Sequence, residues 1–196
     1  MPKATPKTVV RSTDRHAEIL AAAARLFAER GFHATTTRDI SLALGMSPGN
    51  LYHWFPSKQA IITELLQADA ATHLRRLDDW ARSGELAADA PQALIDFVAG
   101  TSRDEVSRFL DGYAAGLLDA ELAPIVRSAD QATRGRFVAL LEEAGIRDAE
   151  NVATILVALV DGLLARRALE PDRNLHDLRA TITAVTDALL APQTAP

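Results

Sequence analysis

A chain of 196 residues with 48% hydrophobic residues can bury the core of one large or two small domains, and it is too apolar to be mainly disordered. The absence of cysteine excludes disulfides and cysteine metal sites and is compatible with a reducing cytoplasm. No apolar run approaches the length that spans a bilayer and no secretory leader is visible, so a cytoplasmic protein without a membrane partner is expected.

The net charge of −5 is unevenly spread. Residues 1–58 hold eight Lys/Arg and four Asp/Glu, a net +4, which leaves −9 on the remainder. A basic head on an acidic body is the footprint of a protein that meets phosphate with one end only. Alanine and leucine outnumber β-branched clusters, which favours helices throughout.

Residues 1–11, with Pro2, Pro6, Lys3, Lys7 and Arg11, predict a mobile basic arm that either touches DNA or is a solvated tail. The first helix is expected from about Asp14 to Arg30, with Ile19, Leu20, Ala23, Leu26 and Phe27 as its apolar stripe and Gly31 closing it. Thr36 and Asp39 form a capping box, so a second helix starts at Thr37, presents Ile40, Ala43 and Leu44 on one side, and stops at Gly45. Ser47 caps a third helix with Pro48 in its first position. Met46, Leu51 and Phe55 pack back on the second helix. Gly49, Asn50, Tyr52 and His53 are left facing outward. Pro56 ends the third helix and Ser57 caps the next. This is a helix-turn-helix whose second helix is placed to enter a DNA major groove.

The run from about Arg15 to Leu66 resembles the DNA-binding domain of the TetR family of transcriptional regulators. The resemblance is carried by Phe27 to Gly31, by Thr36-Thr37-Arg38-Asp39-Ile40-Ser41, by Gly45-Met46-Ser47-Pro48-Gly49-Asn50-Leu51-Tyr52-His53-Trp54-Phe55, and by Lys58. Ser41 and Met46 replace the usual alanine and valine. The resemblance implies a phosphate or base contact at Thr37 and at Arg38, and a phosphate contact at Tyr52. Arg38 suits a bidentate contact to guanine or a phosphate equally. Gly49 lets the backbone approach DNA. Asn50 suits an adenine edge or another polar base edge, and His53 either donates to phosphate or is plain surface. At the start of the fourth helix, Lys58 and free N–H groups together favour a phosphate. The expected DNA-binding set is thus Thr37, Arg38, Pro48, Gly49, Asn50, Tyr52, His53 and Lys58.

A long fourth helix, from after Ser57 to about Arg82, links head and body, and Gly84 opens a loop to Pro91. Five more helices are expected over about 91–101, 103–119, 122–144, 148–169 and 174–190, followed by a frayed tail over 191–196. Aromatic residues on inward faces, Trp80, Phe97, Phe109, Tyr113 and Phe137, are candidates for lining an effector cavity, with plain core packing as the alternative. The eighth helix is apolar on two sides and the ninth carries a similar stripe. Leu156, Leu159, Val160, Leu163, Ile182, Val185 and Leu189 are therefore expected at a four-helix homodimer interface, unless the eighth helix is simply central in a monomer.

His16, His33, His53, His73 and His176 are scattered, and no nucleophile elbow, phosphate loop or dinucleotide fingerprint occurs. No enzyme activity, cofactor or metal is expected. The sequence predicts an all-α protein with a three-helix DNA-binding head over 1–56 and a six-helix body for ligand binding and dimerisation over 57–196. Its expected work is repression from a near-palindromic operator in double-stranded DNA, relieved by a small-molecule effector. The alternative is an all-helical carrier or enzyme whose motif no longer binds DNA.

Overall fold

The computed structural model describes residues 7–84 and 89–190, with side chains from Asp14 onward. These residues form nine α-helices and no strand: α1 Lys7–Ala34, α2 Thr37–Ala43, α3 Pro48–Trp54, α4 Lys58–Ser83, α5 Ala90–Gly100, α6 Arg103–Leu118, α7 Ala123–Glu143, α8 Ala149–Leu169 and α9 Arg179–Leu190. The fold is the expected all-α arrangement of a three-helix head and a six-helix body.

Two boundaries differ from expectation. The α1 backbone is already helical at Lys7, so the second half of the expected arm belongs to the helix. Residues 1–6, part of the loop after Gly84 (85–88) and the tail 191–196 lie outside the described residues. The ninth helix does not start at 174: a 3-10 turn, Leu175–Leu178, comes first. The Asn174 side chain accepts from the His176 N–H at 3.1 Å, and this local bond competes with a regular α-helical first turn.

Two hydrophobic cores are stacked along α4. The first gathers Ile19, Phe27, Ile40, Leu51 and Phe55 from the head with Ile61, Ile62 and Leu65 of α4 and Leu122 from the start of α7. The second gathers Leu77, Leu94, Ile95, Val98, Val106, Phe137, Val152, Leu156 and Leu164. The head core therefore reaches past the expected boundary at residue 57 and includes the first two turns of α4. With 26 residues, α4 is about 39 Å long and threads both cores.

A second bridge was not legible in the sequence. Helix α6 lies against α1, where Ser107 Oγ donates to the Ala28 carbonyl at 3.0 Å and the Phe32 N–H donates to Asp111 Oδ2 at 2.9 Å. Gly31 makes this possible. Its φ of 80° and ψ of 162° fall in a region that only glycine occupies at low cost, and a Cβ there would lie 3.1 Å from Asp111 Oδ2.

Candidate nucleic-acid interface and effector cavity

The helix-turn-helix is built by its own caps. Thr36 Oγ1 accepts from the Asp39 N–H at 3.2 Å, and the Asp39 carboxylate accepts from the Thr36 N–H at 2.8 Å. The Thr36 hydroxyl also donates to that carboxylate at 2.5 Å, and this bond, with the one from the Thr36 N–H, holds the Asp39 carboxyl below its ordinary range. Ser47 Oγ accepts from the Asn50 N–H at 3.2 Å, with Pro48 opening α3. Each such cap contributes about 1 kcal/mol to a helix of only seven residues. Leu51 is fully buried and Phe55 nearly so. They seat α3 on the head with His16 stacked on Phe55 at 4.8 Å.

The outward side of the motif carries most of the expected contacts. Arg38, Pro48, Gly49, Asn50, Tyr52 and His53 are exposed, and Thr37 is half-buried. The Thr37 and Tyr52 hydroxyls share a hydrogen bond at 3.0 Å, which ties the first turn of α2 to the recognition helix α3.

Lys58 is placed differently from its expected role. Its Nζ donates to the carbonyls of Phe32 at 2.8 Å, Thr35 at 3.1 Å and His33 at 3.5 Å. Those carbonyls lie at the C-terminal end of α1, where the helix leaves acceptors unpaired and a cation is favoured. All three ammonium donors have partners inside the chain, so Lys58 clamps α1 to α4. Lys58→Met is expected to cost about 1–3 kcal/mol of stability in denaturant unfolding. It should leave the slope of log K against log salt unchanged, whereas loss of a phosphate contact flattens that slope by about one.

The body holds a cavity of about 140 Å³ between α4, α5, α6, α7 and α8. All five aromatic residues singled out in the sequence, Trp80, Phe97, Phe109, Tyr113 and Phe137, line it. Trp80 meets Phe97 edge-on at 5.5 Å, and Phe109 meets Tyr113 at 4.8 Å. Polar groups enter at two places. Near His73, Asp69 pairs with Arg108 through bonds of 2.9 and 3.1 Å, and Glu105 accepts from the Ser102 N–H at 2.7 Å as the helix cap of α6. Burial lowers the His73 pKa, so its imidazole is held neutral. At the second place Tyr113 Oη donates to Asp161 Oδ2 at 2.6 Å, with Asp130 nearby. Burial and the neighbouring Asp130 charge raise the Asp161 pKa. Sequence reasoning missed Asp130 and Asp161. Arg108 and Asp111 serve as the partners of Asp69 and of the Phe32 N–H.

Two family models match the chain. The model of bacterial regulatory proteins of the tetR family covers residues 19–65, and that of the BetI-type transcriptional repressor C-terminal domain covers residues 90–191, just over half of the chain. The chain belongs to the TetR family.

Curated relatives match in the head. The HTH-type transcriptional repressor KstR2 of Rhodococcus jostii is 53% identical over 53 residues, 27% of this chain and 26% of that protein. The chain thus matches about a quarter of that relative's length. Solved structures match throughout. Salmonella enterica GusR aligns with a TM-score of 0.77 at 25% identity, over 97% of this chain and 100% of its own. A transcriptional regulator from Saccharomonospora viridis, solved in complex with choline, aligns with a TM-score of 0.70 at 25% identity, over 89% and 96% of the two chains.

Of the residues expected at the interface of this TetR-family chain, three belong to its own core. Leu156, Val160 and Ile182 are 5%, 8% and 4% exposed in the single chain. Leu159, Leu163 and Leu189 are partly buried against the same core. Val185 is exposed. The exposed apolar side chains of α8 are instead Ile155 and Leu169. The correction has a simple cause. Helix α8 is apolar nearly all round, so periodicity identifies two faces without saying which one turns inward. Gly162 has no neighbour within 4 Å of a Cβ built on it, so it makes no close approach within the chain. The tightest approaches are at Gly112 against Leu66 and Gly116 against Val126, at 3.0 and 2.9 Å.

Proposed function

We propose that this protein is a ligand-responsive repressor that binds operator DNA as a homodimer and is released by a small molecule in the body cavity. The observation that carries this reading is the exposed face of a capped recognition helix, with Gly49, Asn50, Tyr52 and His53 directed outward from a motif that Leu51 and Phe55 anchor. Two such helices in successive major grooves suit half-sites about 34–36 Å apart. Tyr52 and Arg38 serve phosphate or base, and Asn50 reads a base edge. The effector reading is supported by the apolar cavity and by the Saccharomonospora viridis relative, a regulator of this fold that holds a small molecule. The homodimer reading is supported by the exposed apolar side chains Ile155, Leu169 and Val185.

The fold offers a route for release. Helix α6 lines the cavity with Glu105, Phe109, Gly112 and Tyr113, and it holds α1 through Ser107 and Asp111. A ligand that fits one setting of α6 better than another shifts the head through those two bonds and through α4. Its leverage is limited to its difference in affinity for the two settings.

The test is selection of bound sites from random duplex DNA, followed by binding curves for the enriched site and a random duplex. Asn50→Ala is expected to cost about 1–3 kcal/mol on the enriched site and little on random DNA. Failure to enrich any sequence, with no salt-sensitive retention on duplex DNA, excludes the repressor reading in favour of a carrier with an idle head.

A further inference from the structure

The cavity walls are apolar, but its charged groups are all of one sign. Asp69, Glu105, Asp130 and Asp161 line it, and among the described residues no lysine or arginine does. Two of the four carboxylates are committed elsewhere, Asp69 to Arg108 and Glu105 to the cap of α6. Asp130 and Asp161 have no cationic partner among the described residues. Asp161 is half-buried, and its one hydrogen bond comes from the Tyr113 hydroxyl at 2.6 Å. That bond engages a single oxygen and leaves the other as an unfilled acceptor. Asp161, half-buried beside a hydrophobic space and near the charge of the exposed Asp130, loses solvation, so its ionised form is costly unless a cation joins it. Burial, with the Asp130 charge nearby, raises the Asp161 pKa for the same reason.

The rest of the lining suits such a cation. Trp80, Phe109 and Phe137 present π-systems that attract an ammonium and also pack hydrocarbon. Phe97 already carries a cation on its ring, with the Arg76 guanidinium carbon 4.6 Å from its centroid. The volume of about 140 Å³ is comparable with the roughly 150 Å³ cavities that take benzene, so the ligand is compact.

We propose that the cavity takes a compact apolar amine, whose ammonium lies against Asp130 and Asp161 and whose hydrocarbon body fills the space between Trp80, Phe109 and Phe137. This rests on the effector cavity proposed above and adds the charge and size of what enters it.

The test uses three molecules with one carbon skeleton: 3,3-dimethylbutylamine, 3,3-dimethylbutan-1-ol and 3,3-dimethylbutanoate, which are cationic, neutral and anionic at neutral pH. Binding is followed by the fluorescence of Trp80 in a Trp54→Phe background and by titration calorimetry of the unaltered chain. The amine is expected to bind at least about tenfold more tightly than the alcohol, and the carboxylate more weakly than both. The combined Asp130→Asn, Asp161→Asn variant should lose that preference for the amine while retaining duplex DNA binding, which reports that it folds. Equal binding of amine and alcohol, or a preference for the amine that survives in the double variant, overturns the cationic assignment and leaves the cavity standing. Binding of none of the three at millimolar concentration overturns the cavity as an effector site together with the cation.

Discussion

Replacing Ile155 with glutamate is expected to yield a folded monomer that has lost operator binding. Ile155 is 47% exposed on α8, so its removal takes little from the core of its own chain, whereas a carboxylate buried between two copies meets its own image. Losing the second recognition helix turns a bivalent contact into a monovalent one, and the operator affinity should fall by about 10²–10⁴. The informative contrast is Val160→Glu. Val160 is 8% exposed in the single chain and packs in the body core, so a carboxylate there is buried without a partner and should unfold the protein. Sedimentation and thermal melting separate the two results. An Ile155→Glu protein that sediments with the unaltered chain and keeps its operator places the interface elsewhere.

Asp111→Ala is expected to separate ligand binding from DNA release. Asp111 does not line the cavity, so amine affinity in the absence of DNA should change little. It does accept from the Phe32 N–H at 2.9 Å, and its loss leaves that donor unpaired at the end of α1. An allosteric coupling is commonly worth about 1–3 kcal/mol, a 5- to 150-fold effect on the second site. If α6 drives the head through this bond, most of that factor should vanish in Asp111→Ala, while operator affinity without ligand shifts less. Reciprocity supplies the check: operator DNA should also cease to weaken amine binding by the same factor. Full ligand-dependent release in this variant assigns the coupling to α4 alone. Ser107→Ala removes the companion bond to the Ala28 carbonyl and should act in the same direction, more weakly.

The parts of this molecule that sequence reveals are those fixed by neighbours in the chain. The capping box of Thr36 and Asp39, the Ser47 cap and Pro48 each work within four residues, and the helix-turn-helix follows from them. The inward aromatics of the body follow from helical periodicity. Lys58 was opaque because its partners, the carbonyls of Phe32, His33 and Thr35, come from a helix end about two dozen residues earlier. Asp130 and Asp161 were opaque for a related reason. They stand on α7 and α8, and only the packing of those helices around α6 brings both to Tyr113. Helix α8 shows the opposite difficulty, with too many apolar residues for periodicity to choose a face.

The contact at Gly112 opens a genetic route into the switch. A methyl group at that position would sit 3.0 Å from Leu66 Cδ2. Leu66 borders the cavity and also packs against the head core. Gly112→Ala therefore presses on the end of the Leu66 side chain, which must give by a few tenths of an ångström at the border of the cavity. Such a substitution is expected to act as a covalent surrogate for the inducer. Colonies selected for constant expression of a reporter behind the operator should be enriched in changes at this glycine, and they would reveal the released conformation before any natural inducer is in hand.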